Sequence, residues 1–340
     1  MSDQLTYQAG AGSPNPPRPA LKTSRFSLRP TSTRGFLSQT FFASRAGDSR
    51  NYVLKVGPEI PERRKWAREL RVFAREVTAY RLLAPLRGKY SPKMYAGTSA
   101  HRGANGLLLI EEIRGATCRD QMIGLTLPEL ASVARTIARL HAKFWNSPLL
   151  RRADGLPFHR YMRAHEVRRH LPSFLRWTRR SVQERHFFKQ LPQRVSLALA
   201  HFRKRPATLV HGDLRSDNIY FGRTSIRFID WGLALAGHGT FDLARLIGGS
   251  ARTPLTLAQQ ITIFEVWHRS LVRSGISNYP RQKAWQDYHH AVALTLTIPI
   301  TNAPTLARFS SRGQKLAQLI TKRFLRSARE LTASSCSILQ

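Results

Sequence analysis

The segments LVHGDLRSDNIYF (residues 209–221) and IRFIDWG (residues 226–232) place three oxygen-bearing side chains at the ends of apolar stretches. The first apolar stretch leads into Asp213, Asn218 follows five positions later, and the second stretch ends on Asp230. Phosphoryl transfer requires such a set, because one carboxylate receives the proton of the attacking hydroxyl while oxygen ligands hold Mg²⁺ against the phosphates. We therefore predict Asp213 as the catalytic residue and Asn218 and Asp230 as the Mg²⁺ ligands.

The spacing matches the protein-kinase pattern H-R-D-L-x-x-x-N followed by D-F-G, with two substitutions. Gly212 replaces the arginine and Trp231 replaces the phenylalanine. The arginine of protein kinases can bind a phosphorylated activation loop through charge-assisted hydrogen bonds, and glycine cannot. The interval between Asp230 and Asp242 is also too short for a peptide-docking segment, and no A-P-E motif follows. We expect a small-molecule acceptor.

Three further segments accompany these motifs: LHAKFW (residues 140–145), GTFDLA (residues 239–244) and GFLSQT (residues 35–40). Together they make the chain, over roughly residues 28–330, resemble the aminoglycoside phosphotransferase and choline kinase superfamily, and within it the ecdysteroid-kinase-like branch. The resemblance implies an α+β, bilobed protein-kinase-like fold, use of ATP with Mg²⁺, and phosphorylation of a hydroxyl on a small molecule.

The domain organisation follows from composition and from the change in periodicity along the chain. Residues 1–25 are rich in Gly, Pro and Ser and predict a flexible arm, because such a composition cannot bury a core. Residues 28–113 predict a nucleotide-binding N-lobe with an antiparallel sheet. Residues 114–332 predict a helical C-lobe that holds the catalytic and acceptor-binding residues, and residues 333–340 a loose tail.

Alternating apolar residues predict the strands of the N-lobe. These strands are expected at residues 26–28, 40–43, 52–56, 92–95 and 106–112. One helix is predicted from Trp66 to Leu86, because its apolar residues recur at helical spacing. The last strand would run into a hinge at Glu111 and Ile113, where backbone groups receive the adenine.

Other nucleotide-binding residues are implied by the kinase resemblance. Lys55 resembles the lysine that holds the α- and β-phosphates, the alternative being an exposed strand lysine. Glu76, on the following helix, is predicted to pair with it, and Glu69 is the competing candidate. Backbone N–H groups near Ser38 could bind phosphates in the turn around residues 34–35.

In the C-lobe, residues 126–129 (TLPE) have the form of a capping box and begin a helix. His141 and Trp145 fall on the apolar face of that helix, so we expect them in the core. Residues 146–206 predict short helices that wall the acceptor site. Later helices are predicted at residues 256–275, 281–298 and 306–331, with breaks at Pro280 and at Pro299 with Pro304.

Three polar residues near the catalytic motif have other predicted roles. By the resemblance, His211 orders the catalytic loop rather than acting as an acid or base. Asp217 is expected to be a solvated loop residue. Asp242 is expected to start a helix and to brace the catalytic loop.

The chain is strongly basic, with 55 Lys and Arg against 20 Asp and Glu among 340 residues and a formal net charge of +35. The basic residues are spread from Arg25 to Arg329, and no zinc-finger, helix-turn-helix or RNA-binding signature accompanies them. We predict no specific nucleic-acid partner. The alternative function is a nucleotide-binding pseudokinase or scaffold whose basic surface binds a polyanion.

Cys118 and Cys336 are far apart, which argues against a disulfide framework or a zinc site and fits a reducing cytosol. No targeting segment and no apolar run long enough to span a bilayer is visible, so we predict a cytoplasmic protein. The sequence does not predict the oligomeric state.

The acceptor class is predicted from the scarcity of carboxylates in the C-lobe. The acidic residues between Trp145 and His211 and after Asp242 are Asp154, Glu166, Glu184, Glu265, Asp287 and Glu330. The same regions contain the aromatic residues Trp177, Phe187, Phe188, Trp267, Trp285 and Tyr288. A polycationic antibiotic would require more opposite charge. We expect a neutral, apolar or anionic hydroxylated acceptor, although an aromatic cage could also hold choline.

Overall fold

The computed structural model describes residues 26–31, 37–100, 105–152, 156–159, 162–178 and 182–338. The chain divides into two compact units, Met1–Ala116 with Trp231–Leu233, and Thr117–Asp230 with Ala234–Gln340. The predicted combination of an antiparallel sheet with a helical part is confirmed. The arm predicted at residues 1–25 and the turn at residues 34–35 lie outside the described residues.

The first unit contains an antiparallel sheet, five-stranded within the described residues. Its strands are β1 (Phe26–Pro30), β2 (Gln39–Arg45), β3 (Asn51–Val56), β4 (Met94–Ala100) and β5 (Asn105–Glu111). They pair in the order β1-β2-β3-β5-β4. The sequence predicts that β4 starts at Pro92, but the strand begins two residues later, at Met94. A proline has no N–H to donate to the ladder.

The single helix predicted from Trp66 to Leu86 is wrong. The structure has α1 (Pro61–Leu70) and α2 (Val72–Leu83), separated by Arg71, whose φ is +57°. The left-handed residue ends α1 and lets α2 start in a new direction. Helical periodicity does not reveal this break, because one residue barely disturbs the apolar pattern.

Helix α2 packs closely against β4 and β5. A Cβ atom on Gly106 of β5 would lie 2.5 Å from the Cγ atom of Phe73, so glycine is needed for this approach. The buried Phe73, Val77 and Tyr80 of α2 fill this side of the sheet. A separate cluster is formed by Ala43, Tyr52, Leu54, Val56, Leu107 and Leu109.

The second unit is mainly helical. Its helices are α3 (Leu127–Phe144), α4 (Pro148–Arg152), α5 (Ala164–Thr178), α6 (Val182–Phe202), α7 (Thr240–Ser250), α8 (Leu257–Arg273), α9 (Arg281–Thr295), α10 (Thr297–Phe309) and α11 (Ser311–Ile338). Its strands are β6 (Thr117–Cys118), β7 (Thr208–Val210), β8 (Ile219–Phe221), β9 (Ile226–Phe228) and β10 (Leu235–Gly237). β6, β8 and β9 form one small sheet, and β7 pairs with β10. Every residue of α7 is buried, so this helix is the centre of the unit.

The start of α3 is as predicted, because Thr126 and Glu129 form both bonds of a capping box. The short helices predicted for residues 146–206 are wrong, since α5 and α6 contain 15 and 21 residues. Each of these helices contains a proline, which weakened the periodic signal.

Helix α9 begins directly after Pro280, as predicted. The break predicted at Pro299 and Pro304 is wrong, because both residues lie within α10. Pro299 is in the first turn, where its missing N–H has no intrahelical partner to lose. α11 continues to Ile338, into the segment predicted to be loose. No helix in the described part of the chain is long and apolar enough to cross a membrane.

Candidate active site

The catalytic loop follows β7, whose three residues are fully buried in the second unit. The backbone N–H groups of His211 and Gly212 donate to the two oxygens of the Asp242 carboxylate, at 2.7 Å and 2.9 Å. Gly212 has a φ of +81°, a conformation that favours glycine. Asp242 lies in the first turn of α7, which begins at Thr240, two residues before the predicted start. One buried carboxylate on α7 therefore fixes the backbone of the loop.

Behind Asp242 lies a buried chain of side-chain hydrogen bonds. Trp267 Nε1 donates to His141 Nδ1 at 3.2 Å, and His141 Nε2 lies 3.2 Å from Asp242 Oδ2. Because Nδ1 accepts, the proton belongs on Nε2, which donates to Asp242. His141 is in the core, as predicted, but its role there is polar. Trp145, also predicted in the core, is only half-buried.

His211 links the catalytic loop to the end of β9. Its Nε2 atom donates to the carbonyl oxygen of Ile229 at 2.9 Å, and its Nδ1 atom accepts from the N–H of Asp213 at 3.2 Å. Burial lowers the pKa of His211, which favours the neutral ring. These contacts give His211 the loop-ordering position that the sequence predicts.

The Asp213 carboxylate is held by two arginines. Arg245 of α7 binds Oδ1 through Nη2 at 2.7 Å and Nε at 3.2 Å. Arg215 binds Oδ2 through Nε at 3.1 Å. Burial alone would raise the pKa of Asp213, but the charges of Arg215 and Arg245 outweigh it and hold the pKa well below its usual range. Asp213 is therefore ionised at neutral pH and fixed in orientation.

Arg215 also connects the loop to the start of the helical region. Its Nη1 atom donates to Asp217 Oδ2 at 2.6 Å and to Gln121 Oε1 at 3.1 Å. Asp217 Oδ1 accepts from the N–H of Gln121 at 2.6 Å. The prediction of Asp217 as a solvated loop residue is wrong, since both of its oxygens are bonded within the protein. Burial raises its pKa, although Arg215 opposes that effect.

The two predicted metal ligands lie at the same end of the β8–β9 hairpin. Asn218 immediately precedes β8, and its carbonyl oxygen accepts from the N–H of Ile229, the residue before Asp230. Asn218 Nδ2 donates to the carbonyl oxygen of Asp213 at 2.9 Å. The other polar atom of the amide, Oδ1, takes no part in this bond. Asp230 has a φ of +62°, a strained conformation of the kind found at functional sites. An amide oxygen and a carboxylate are ligands that suit Mg²⁺.

In the first unit, Lys55 and Glu76 form a buried ion pair. Lys55 Nζ lies 2.8 Å from each oxygen of the Glu76 carboxylate, and the two side chains are 9% and 0% exposed. Glu69 is exposed on α1, so Glu76 is the partner of Lys55. The alternative of an exposed strand lysine is excluded.

The other predicted nucleotide residues also lie in the first unit. Ser38 is buried directly before β2. The N–H of Glu111 donates to the carbonyl oxygen of Lys93 at 2.8 Å, and Glu111 Oε2 accepts from the N–H of Lys93 at 3.0 Å. The backbone of Ile113 makes no hydrogen bond within the described residues. Of the two residues predicted to form the hinge, only Glu111 is therefore engaged in these backbone contacts.

Sequence reasoning missed Arg215, Arg245 and Gln121. A signal for Arg245 was present, because it follows Asp242 by three positions and so shares a face of α7 with it. Arg215 lies within the quoted motif, two residues after Asp213. Gln121 gave no signal, since its partners are almost a hundred residues away.

Residues 32–277 match the model of the phosphotransferase enzyme family. The chain belongs to this family. Membership identifies a small-molecule phosphotransferase and confirms the resemblance seen in the motifs, while the ecdysteroid-kinase-like branch stays a prediction. The curated proteins contain no match to this phosphotransferase.

Solved structures share the fold of this phosphotransferase at low sequence identity. A choline kinase from Cryptosporidium parvum is 15% identical with a TM-score of 0.58, covering 92% of each chain. A microcompartment-associated aminopropanol kinase is 14% identical with a TM-score of 0.58, covering 91% of this chain and 93% of its own. An aminoglycoside phosphotransferase in a ternary complex with streptomycin and ATP is 16% identical with a TM-score of 0.50, covering 90% and 95%.

Proposed function

We propose that this phosphotransferase transfers the γ-phosphate of ATP, in the presence of Mg²⁺, to a hydroxyl group of a small molecule without net positive charge. The observation that carries the proposal is the placement of Asp213, which is held ionised by Arg215 and Arg245 and is joined to Asn218 by hydrogen bonds. ATP is the nucleotide bound by one of the structural neighbours.

In the first unit, the proposed role of Lys55 is to bind the α- and β-phosphate oxygens. Glu76 fixes the ammonium group with two 2.8 Å contacts, so the cation is oriented before the nucleotide arrives. Ile113 would bond the adenine through its backbone. These residues bind and position the nucleotide.

In the second unit, Asn218 Oδ1 and the Asp230 carboxylate would hold Mg²⁺. A metal ion held by these residues would neutralise the negative charge of the phosphates. Asn218 contributes further by donating to Asp213, which ties the metal ligand to the residue that contacts the acceptor.

Asp213 would accept a hydrogen bond from the acceptor hydroxyl and aim its oxygen at the phosphorus. Its lowered pKa makes it a weak base, so full removal of the proton before attack is disfavoured. A loose, metaphosphate-like transition state requires little negative charge on the attacking oxygen. We infer that Asp213 takes the proton late, as the new P–O bond forms.

The proposed acceptor class is supported by the carboxylates of the second unit. Of the six acidic residues considered above, the four whose side chains the structure describes are already bonded to basic side chains: Glu166 to His165, Glu265 to Arg281, Asp287 to Arg205 and Glu330 to Arg326. A polycation would have to break these contacts in order to be neutralised. Of the aromatic residues considered above, Phe188, Trp267 and Tyr288 are buried in the core, and Trp177, Phe187 and Trp285 are half-buried.

The test is acceptor-dependent ADP release with Mg²⁺-ATP, with Mg²⁺-GTP in parallel. Kanamycin, choline and a hydroxysteroid would be compared at equal concentration. We expect the aminoglycoside to be the poorest acceptor. Efficient phosphorylation of kanamycin would refute the proposed acceptor class, and absence of turnover with a broad panel of hydroxylated compounds would refute the reaction.

A further inference from the structure

A cavity of about 670 Å³ opens in the second unit beside α11. Its size is typical of small-molecule sites. Its lining includes Trp177, Pro254, Thr321, Lys322, Leu325, Arg326 and Arg329. Trp177 is one of the aromatic residues considered above for the acceptor, and none of the lining residues belongs to the predicted catalytic, metal or nucleotide-binding set.

The charged residues of the lining are all basic. Lys322, Arg326 and Arg329 follow one another at positions i, i+4 and i+7 of α11, so they share a helical face. No carboxylate is among the described lining residues. Arg326 pairs with Glu330 at 2.6 Å, but its side chain is 55% exposed, and an exposed ion pair of this kind is weak and exchanges readily.

One of the lining residues, Thr321, carries a buried hydroxyl. Thr321 is 2% exposed, and its Oγ1 atom has no hydrogen-bond partner within the described residues. Buried hydroxyls on neighbouring helices behave differently: Thr301 donates to the carbonyl oxygen of Thr297 at 2.8 Å, and Ser270 to that of Val266 at 2.6 Å. An unmade bond of this kind lowers stability unless a ligand supplies the partner.

The remaining lining is suited to an apolar body. Trp177 is half-buried and packs against Phe174, with ring centroids 6.2 Å apart. Leu325 is 4% exposed, and Pro254 adds a further apolar surface. An aromatic ring beside several cations and a hydroxyl is suited to a ligand that is both apolar and anionic.

We propose that this cavity is a second ligand site, which binds a molecule carrying a carboxylate, sulfonate or phosphate group on an apolar or aromatic body. Lys322, Arg326 and Arg329 bind the anionic group, Thr321 Oγ1 donates to it or to an adjacent oxygen, and Trp177 and Leu325 contact the apolar part. Binding at this site is tested without nucleotide, so its outcome does not depend on the proposed phosphoryl-transfer reaction.

The experiment is isothermal titration of the full chain with naphthalene-2-sulfonate and with the neutral naphthalene-2-sulfonamide, at fixed ionic strength. These probes have the same ring and differ in charge. We expect the sulfonate to bind about tenfold more tightly than the sulfonamide, the scale of a pair of charge-assisted hydrogen bonds. Equal affinity of the two probes would overturn the proposal.

The variant Lys322→Gln/Arg326→Gln should lose about tenfold in sulfonate affinity. The matched control is Arg273→Gln/Lys283→Gln, which removes the same charge from exposed positions that do not line the cavity. The control should keep wild-type affinity. A comparable loss in both variants would show a general charge effect, and no loss in the first would remove the site from this cavity.

Thr321→Val separates ligand binding from stability, because the two effects have opposite signs. The substitution keeps the shape and removes the unpaired hydroxyl, so the unliganded protein should melt at the wild-type temperature or above it. Sulfonate affinity should nevertheless fall by about threefold or more. Unchanged affinity in this variant would contradict the part of the proposal that involves the hydroxyl.

Discussion

Arg245 donates two hydrogen bonds to one oxygen of the Asp213 carboxylate, from Nη2 at 2.7 Å and from Nε at 3.2 Å. Arg245 is 5% exposed and its guanidinium lies over the ring of Phe324, so it has little freedom to turn away. A carboxylate bound in this way keeps one orientation and stays ionised.

Replacing Arg245 by Gln should change the pH dependence of turnover. Loss of the cation raises the pKa of Asp213 from below its usual range toward about 4. Protonation would then inactivate the enzyme at a higher pH than in the wild type, so the acidic limb of the kcat profile should shift upward. Rates measured from roughly pH 4.5 to 8 test this, because Asp213 titrates near the lower end of that range only in the variant. Lys283→Gln on the surface of α9 is the control, and an unshifted limb in Arg245→Gln would contradict the assigned interaction.

The contact between Arg245 and Asp213 also makes the stability of the protein depend on pH. Since the pKa of Asp213 is lower in the folded than in the unfolded chain, its ionisation stabilises the native state above the usual pKa of about 4. This contribution is lost as the pH falls further.

Asp213→Asn should remove turnover and spare nucleotide binding. The amide keeps the size of the side chain but cannot accept the proton, and such proton transfer contributes about 10²–10⁴-fold to the rate. Steady-state kcat and a nucleotide titration by thermal shift measure the two effects separately. A variant that retains wild-type kcat on a confirmed acceptor would show that another residue is catalytic.

Lys55 and Glu76 should behave as a pair in stability but not in activity. Glu76→Leu removes the carboxylate that both 2.8 Å contacts of the buried Lys55 ammonium reach, and should cost about 3–5 kcal/mol. Adding Lys55→Met removes that charge, so the double variant should recover most of the free energy of unfolding, measured by urea denaturation. Nucleotide binding should not recover. A double variant that binds ATP as the wild type does would exclude Lys55 from the phosphate site.

Asp230→Asn should weaken binding of ATP only when Mg²⁺ is present. Asn tolerates the left-handed backbone of residue 230, so the fold should be retained, while one negative metal ligand is lost. Thermal shifts with ATP plus Mg²⁺ and with ATP plus EDTA provide the comparison. If the variant and the wild type respond equally to Mg²⁺, Asp230 is not a metal ligand.

The sequence predicted the strands of the first unit and the start of α3, because alternation and a capping box are local signals. The short spacing of Asp213, Asn218 and Asp230 along the chain is a local signal too, and their catalytic and metal-binding roles stay predictions. It did not predict the break at Arg71 or the helix through Pro304, because these depend on packing rather than on periodicity. Arg245 was missed because its position three residues after Asp242 becomes informative only once α7 is known to contact the catalytic loop.

Helix α7 is buried along its whole length, and this determines how the enzyme should lose activity on heating. This one helix carries both Asp242, which fixes the loop backbone, and Arg245, which fixes the Asp213 side chain, and none of its residues is exposed. Elements with such protection open only when the whole unit unfolds. The catalytic loop therefore has no independent route to disorder, and loss of activity on heating should coincide with a single cooperative melting transition of the second unit.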